Sequence, residues 1–587
     1  SDLNLCLDRP DHSSGLSISI EKEAVHFAAP RHLQIAWAIL AAWPRICLSI
    51  LNATPDIFTF LRTDDAATAA RLRKALGITP PADRACVLPD DLLAFTPSVE
   101  GLEETATIIV PVFNAAENLA KLLERLSSVT IPVILVNDGS DDERIAPMLA
   151  RFAKTHADAT VITKRQNEGF VAAANHGLRK ARGHIILLNT DTLPPRGWVD
   201  RLLAPMHRDP SIASVTPFSN NAEIISVPRP AITSDVTPEL VDCIDQTAQR
   251  FGAQYHTVEL PTGIGFCMAM NRRFLNLIER FDPAFGRGYG EEVDWCQKAT
   301  QAGGRHVALA SLFVGHQGGA SFGDEKSTRL SASAAIIKER YPTFDREVQS
   351  WVHAGPAQAQ TLALSIAWLA AVSVRPVPIF FGHSMGGGAE KALQDEIRTQ
   401  IETGAPGVIV LRVGGPARWR LELVTESAIQ VGDAMDQKII EDLLVPIESR
   451  HLIYSCGVGA RHPLDVPRLL QRLRNQKTSL DLNLHDFFPI SPSWNLLDSR
   501  DEFHGVPCIH TTDPAHALPA LTRMPPVSHQ DWRGEWSRVF SLANRVIAFS
   551  DTSRALITEA YAKTQGKVEV RPHRLPNMPL PSAAGGQ

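Results

Sequence analysis

Three short runs of aliphatic and β-branched residues, at 107–112, 133–137 and 184–188, alternate with segments of helical periodicity at 117–126 and 171–181. That order argues for an α/β domain with a mostly parallel sheet. A second series starts at 378–381 and continues at 408–413, 451–456, 480–484, 545–549 and 568–570. These are again β-α-β units, and no repeat relates them to the first series. The expected organisation is therefore a mixed N-terminal region over 1–100, a first α/β domain over 101–345, a helical connector over 346–375 and a second α/β domain over 376–587. The N-terminal region reads as a strand at 16–20, helical periodicity from His32 and a polar helix around 66–76, with no interpretable motif.

A chain of 587 residues is too long for one core and suggests about three domains. Apolar residues make up 44%, charged residues 21%, and the net charge is -6, so nothing points to a nucleic-acid partner. The eight cysteines are scattered, without a C-x-x-C pair, and read as free thiols in a reducing cytoplasm. Of the two most apolar stretches, 33–51 is interrupted by Pro44 and Arg45, and 361–374 is too short to cross an apolar layer of about 30 Å. The first residues precede no basic-then-apolar run, and a start at Ser1 without Met reads as trimmed.

Chemistry gathers where the strand runs end. The first run passes through Pro111 to Phe113 and Asn114, and the second ends in Asn137-Asp138-Gly139-Ser140. Ligands of open α/β sheets sit beyond the carboxyl ends of strands, where Asp138 could accept from a base N–H or a ribose hydroxyl. Asp-Gly is also a common turn. The third run ends in Asn189-Thr190-Asp191, a place for a carboxylate to hold a divalent cation against a diphosphate. One carboxylate needs a second ligand, for which His316 is the candidate; a lone histidine is otherwise a structural residue. Between them Glu291, Glu292 and Asp294 open a helix, offering a base for an acceptor hydroxyl or, more plainly, complementing the helix dipole.

In order, these residues resemble the family 2 glycosyltransferases, inverting enzymes of the GT-A fold, from about residue 105 to 322. The likeness includes Asn167-Glu168-Gly169-Phe170 with Asn175 and Gly177, and the segment from Thr262 through Gly263, Gly265 and Phe266 to Cys267. It implies that Asp138 contacts the nucleobase and that Asp191 and His316 hold Mn²⁺ or Mg²⁺. It also implies that Glu292 is the base, supported by Glu291 and Asp294. Pro111, Phe113, Asn114, Asn167, Gly169, Asn189 and Thr190 would line the donor, and Gly263, Gly265 and Phe266 the acceptor side. The family's metal motif often reads Asp-x-Asp; Asn189 at its first position weakens that residue's claim as a ligand.

The second series opens into Gly382-His383-Ser384-Met385-Gly386-Gly387-Gly388-Ala389-Glu390. Locally this is a hydrolase nucleophile elbow with Ser384 as nucleophile. It is also a glycine-rich loop that lets a substrate approach the backbone at a helix start. The strand reads as the first of its domain, which argues for the second interpretation. With His485-Asp486 and the 543–550 and 570–573 segments, it resembles the first, acceptor-side domain of family 4 glycosyltransferases of the GT-B fold. Gly386, Gly387, Gly388, Glu390, His485 and Asp486 are its candidate site residues, and the second Rossmann-like domain of that fold is missing, as in a cut chain.

The resemblances together imply an α/β protein with a GT-A nucleotide-sugar-binding domain followed by a Rossmann-like GT-B N-terminal domain. The implied enzyme is a metal-dependent hexosyl-type glycosyltransferase, part of a bifunctional protein of cell-surface polysaccharide synthesis. Its donor is a nucleotide-sugar and its acceptor a glycan or lipid-linked glycan. The expected location is cytoplasmic, peripheral at the inner face of the membrane. The alternatives are hydrolysis through Ser384 and a non-catalytic carbohydrate-binding role for the C-terminal half.

Overall fold

The computed structural model describes residues 16–20, 23–27, 85–94, 106–228, 236–318, 325–520 and 525–573, with the backbone alone for 16–20, 23–27 and 325–330. The chain divides into two compact units, Ser1–Arg84 and Ala85–Gln587. In the first, β1 (Leu16–Ile20) and β2 (Glu23–Phe27) form an antiparallel pair with Leu16 opposite Phe27. The helical segments expected from His32 and at 66–76 lie outside the described residues.

The second unit opens with β3 (Cys86–Leu88) and β4 (Ala106–Val112), followed by β5 (Val133–Asn137), β6 (Ala159–Thr163) and β7 (His184–Leu188). Next come β8 (Thr192–Leu193), β9 (Ile212–Phe218), β10 (Thr257–Leu260), β11 (Cys267–Met270), β12 (Arg305–Phe313) and β13 (Gly315–His316). Eight of these strands form one sheet in the order β10-β12-β9-β11-β7-β4-β5-β6. β7, β4, β5 and β6 are parallel, as the alternation predicts. β11 runs antiparallel between β7 and β9, and β10 antiparallel to β12, so the sheet is mixed. β5 and β7 are buried along their whole length because helices and loops cover both faces, and this is why they read as unbroken apolar runs. The helix Phe170–Leu178 lies close on β4: a Cβ at Gly177 would come 2.4 Å from Ile109 Cγ2, so only glycine allows that approach.

β14 (Val377–His383), β15 (Val408–Val413), β16 (Trp419–Val424), β17 (Ile429–Ala434), β18 (Arg450–Tyr454), β19 (Thr478–Leu484), β20 (Arg545–Ala548) and β21 (Val568–Val570) build the second sheet. Its order is β21-β20-β19-β18-β14-β15-β16-β17-β3, parallel from β21 to β15. The strands expected from the sequence are all present. The antiparallel β16–β17 hairpin is an addition, and β3, from within the region expected to be separate, pairs parallel with β17 at the edge.

The connector resolves into two helices, Phe344–Ala354 and Gln358–Val372. The second is buried at every position from Gln360 to Leu369 and packs against the helix Pro238–Ala248 of the first half and against β17 and β3 of the second. A helix apolar on all sides has to be sealed within protein or lipid. Here protein seals it, and among the described residues no helix is long and apolar enough to cross a membrane.

Candidate active site

The carboxyl ends of β4, β5, β6 and β7 present the loops singled out in the sequence. Asn114, in the left-handed region at φ 55°, donates its backbone N–H to Ser140 Oγ and accepts from the amides of Asp141 and Asp142 on Oδ1. It ties two strand ends together, while Pro111 and Phe113 stand half-buried beside it. Asp138 is 3% exposed, and its carboxylate accepts from Lys164 Nζ at 2.6 Å, Glu168 N at 3.1 Å and Gly169 N at 2.7 Å. These bonds hold the loop that carries Asn167, and they occupy the carboxylate that was expected to meet a nucleobase. Gly139, at φ 65°, has no room for a side chain, since a Cβ would lie 2.5 Å from the Gln166 carbonyl carbon.

Asp191 and His316 meet through the ladder of β8 and β13, in which Thr192 is opposite His316. His316 Nε2 lies 3.4 Å from Asp191 Oδ1. Its Nδ1 faces the Asn221 carbonyl at 2.6 Å, and since a carbonyl only accepts, Nδ1 carries a proton and turns Nε2 toward Asp191. Asn220 clamps the His316 backbone from both sides, at 2.8 Å each way, and Phe266 stacks on the ring at 4.9 Å. Asp191 Oδ1 is buried without a hydrogen-bond partner. An imidazole nitrogen 3.4 Å from a buried carboxylate oxygen is a donor set that fits a divalent cation, which Asp191 and His316 would hold.

The helix Glu291–Gln301 brings its acids to the same place. Gly265 passes over Glu292, with a Cβ position 3.6 Å from Glu292 Cγ, and the neighbouring Phe266 carbonyl accepts from Asn189 N at 2.9 Å. Burial pushes Glu292 up to about 7, helped by the negative Glu223 nearby. Burial raises Glu291 as well, with Glu292 as its next cause. Among the described residues, five side-chain oxygens on these strand-end loops and on this helix are buried without a hydrogen-bond partner: Asn167 Oδ1, Asn189 Oδ1, Asp191 Oδ1, Glu291 Oε2 and Glu292 Oε2. Buried polar atoms are rarely left unpaired in a native fold, so such a cluster marks a place for a ligand.

Asp294 is different. At 1% exposure it accepts from Lys298 Nζ at 2.6 Å, Arg340 NH1 at 2.8 Å and Tyr341 Oη at 2.8 Å. Two residues beyond Glu292 it is turned roughly 200° around the helix, and its carboxylate pins that helix to the next one. Gly263 also serves packing, because a Cβ would meet Met268 Sδ at 2.6 Å and Ser214 Oγ at 2.8 Å. Sequence reasoning passed over Lys164, Asn220, Asn221 and Glu223. The only trace of them is the polar run Ser219-Asn220-Asn221 after β9.

At the second sheet, Gly386, Gly387, Gly388, His485 and Asp486 line a common cleft beyond the strand ends. Glu390 does not; it forms a bidentate pair with Arg412, at 2.6 and 3.0 Å. Ser384 is not at a positive-φ elbow and makes no hydrogen bond to any described histidine, so it has neither the strained turn nor the base of a hydrolase nucleophile.

The first half is thus a mixed α/β domain whose strand ends collect a carboxylate–histidine pair and two raised glutamates. Residues 107–278 match the family model described as glycosyl transferase family 2. The match ends before Glu291 and His316. Among curated relatives, Glycosyltransferase AglE of Haloferax volcanii is 30% identical over 101 residues, which is 16% of this chain and 33% of the relative. Probable N-acetylgalactosaminyltransferase 7 of Caenorhabditis elegans is 26% identical over 241 residues, 36% of this chain and 39% of the relative. The chain therefore spans between a third and two fifths of the length of these relatives. Among solved structures, a mannosyltransferase of Pyrobaculum calidifontis in complex with GDP-Man and Mn²⁺ aligns with TM-score 0.31 at 18% identity, covering 61% of this chain and 91% of that one. GalNAc-T7 with UDP, GalNAc and Mn²⁺ aligns with TM-score 0.33 at 16% identity, covering 55% and 65%.

Proposed function

We propose that the first half is an inverting, metal-dependent glycosyltransferase that moves a sugar from a nucleotide-sugar to a hydroxyl of a glycan or lipid-linked glycan. The observation that carries this reading is the buried Asp191 Oδ1, without a hydrogen bond, 3.4 Å from His316 Nε2, with Glu292 across the Gly265–Phe266 loop. A bound Mn²⁺ or Mg²⁺ would neutralise the charge that grows on the departing diphosphate. Asp191 and His316 would hold the cation, and Asn167 and Asn189 would offer their unpaired amide oxygens to donor hydroxyls. Glu292 takes the proton of the attacking hydroxyl. A carboxyl raised to about 7 retains that proton better than an ordinary one, which suits a general base near neutral pH.

Residues 376–587 are read as the acceptor-side half of a bifunctional, GT-B-like partner in cell-surface polysaccharide assembly at the cytoplasmic face of the membrane. The sequence likeness at Gly386–Gly388 and His485-Asp486 supports this. The test is a panel of nucleotide-sugars with and without Mn²⁺ or Mg²⁺, read by thermal shift and donor hydrolysis. One donor should stabilise the protein only with metal; a protein that neither binds nor hydrolyses any member overturns the reading.

A further inference from the structure

The residues just ahead of Glu291 and Glu292 have an unusual backbone. From Gly286 to Gly290, four of five residues sit at positive φ: Gly286 at 57°, Gly288 at 125°, Tyr289 at 75° and Gly290 at 87°. Glycine adopts such angles freely, whereas Tyr289 does so under strain, which persists only where the surroundings hold it.

The contacts that hold this loop run to Gly169. The Phe170 amide donates to the Arg287 carbonyl at 3.4 Å. A Cβ at Gly169 would lie 2.7 Å from both Cα and Cγ of Arg287, so the arginine stem rests directly on the Gly169 backbone. Gly169 is itself fixed, since its amide donates to Asp138 Oδ2 at 2.7 Å. It is also the N-cap of the helix Phe170–Leu178, which no side chain caps. On the inner side of the same loop, a Cβ at Gly288 would lie 3.5 Å from Phe170 Cβ and 4.0 Å from Glu291 Oε1. Glu291 is buried there with its Oε2 unpaired.

Arg287 is exposed, and among the described residues its guanidinium makes no ion pair and no hydrogen bond. Lys164, whose Nζ meets the same Asp138 carboxylate that holds Gly169, is by contrast spent on Asp138 and Glu168, at 2.6 and 2.9 Å. An arginine with its stem packed and its head idle, beside the positive end of a helix, is arranged to take an anion. The charge balance of the site calls for one. A divalent cation on Asp191 and His316 would leave about one net positive charge, whereas the diphosphate of a nucleotide-sugar carries about two negative charges and gains another as the sugar leaves.

We infer that Arg287 is a second anion-binding group of the donor site, its guanidinium gripping the diphosphate of the nucleotide-sugar from the start of the Phe170–Leu178 helix, independently of Asp191 and His316. Guanidinium suits this task because its fork matches two phosphoryl oxygens at once. The inference rests on the glycosyltransferase reading of the site.

The experiment titrates UDP and GDP, with uridine and guanosine as phosphate-free controls, into the full chain in Mn²⁺ by calorimetry. The parent protein should bind one of the diphosphates; binding of neither overturns the glycosyltransferase reading and this inference with it. Arg287→Met keeps a stem on Gly169 and removes the charge. It should weaken that diphosphate at least ten-fold while leaving the nucleoside, Mn²⁺ alone and the melting temperature as in the parent. Arg287→Lys, which keeps the charge without the fork, should recover at least three-fold of the loss. Diphosphate affinity unchanged in Arg287→Met overturns this inference and leaves the glycosyltransferase reading standing. So does an equal weakening of nucleoside and diphosphate, a loss of Mn²⁺ affinity, or a lysine variant no better than the methionine one, since each would make Arg287 a structural support.

Discussion

His316 Nε2 lies 3.4 Å from Asp191 Oδ1, and the contact is made by the β8–β13 ladder that sets Thr192 opposite His316. Two residues far apart in the chain become neighbours through a ladder two residues long.

Asp191→Ala should remove metal-dependent donor binding and transfer. A cation stabilising the leaving diphosphate contributes several kcal/mol to the transition state, so activity should fall by at least about 10²-fold. His316→Ala should act in the same direction. Donor thermal shifts with and without Mn²⁺ check this, and an Asp191→Ala protein with full activity would remove the metal assignment.

Glu292→Gln should lower kcat by about 10² to 10⁴-fold while leaving donor affinity unchanged. Because Glu292 must be deprotonated to act and titrates at about 7, kcat/KM should decline below that pH, roughly ten-fold per unit. A profile flat down to pH 5 would contradict the role.

The same burial has a stability consequence of opposite sense. Glu292 is raised from its ordinary 4.5 to about 7, so the folded state holds its proton more tightly than the unfolded chain. Its contribution is fully present below 4.5 and is lost as pH rises through about 7. Glu292→Gln should therefore be more stable than the parent at pH 8, by on the order of 2 to 3 kcal/mol, and nearly equal to it at pH 4.5. Urea unfolding at the two pH values measures the difference.

Asp294→Ala should destabilise the fold and leave the pH profile of transfer in place. It strands Lys298, Arg340 and Tyr341, which now converge on one buried carboxylate. Breaking a buried pair costs about 3 to 5 kcal/mol; because Lys298 and Arg340 reach solvent, the expected loss is nearer 2 to 3 kcal/mol. A shifted pH profile instead would make Asp294 part of the chemistry.

Leu364→Ala, in the middle of the helix Gln358–Val372, should open a cavity costing about 2 to 4 kcal/mol. That helix touches both halves, so far-UV circular dichroism and tryptophan fluorescence should lose stability together. Two separated transitions would show that the halves unfold independently.

Much of this was legible in the chain because the signals are local. β4, β5 and β7 and the parallel strands of the second sheet are short apolar runs ending in turn formers, and the acids at 291–294 stand together in sequence. Other elements were not legible. β11 reads Cys-Met-Ala-Met, a pattern that suits a helix as well as a strand, and only its place between β7 and β9 makes it a strand. The Gly-His-Ser-Met-Gly segment carries the letters of a nucleophile elbow without its backbone.

The sequence by itself determined the alternation of strands and helices, the polar strand ends and the family likeness of residues 107–278, because each depends on residues near one another in the chain. The tertiary structure alone decided which of the neighbouring acids is free. Glu292 is left with an unpaired buried oxygen, while Asp294, two positions on, is consumed by Lys298, Arg340 and Tyr341. It also decided that the apolar helix Gln358–Val372 is sealed between the helix Pro238–Ala248 and the edge of the second sheet, and that Asp191 has His316 for a partner. Partnering and burial are set by groups brought from distant parts of the chain, and no local pattern encodes them.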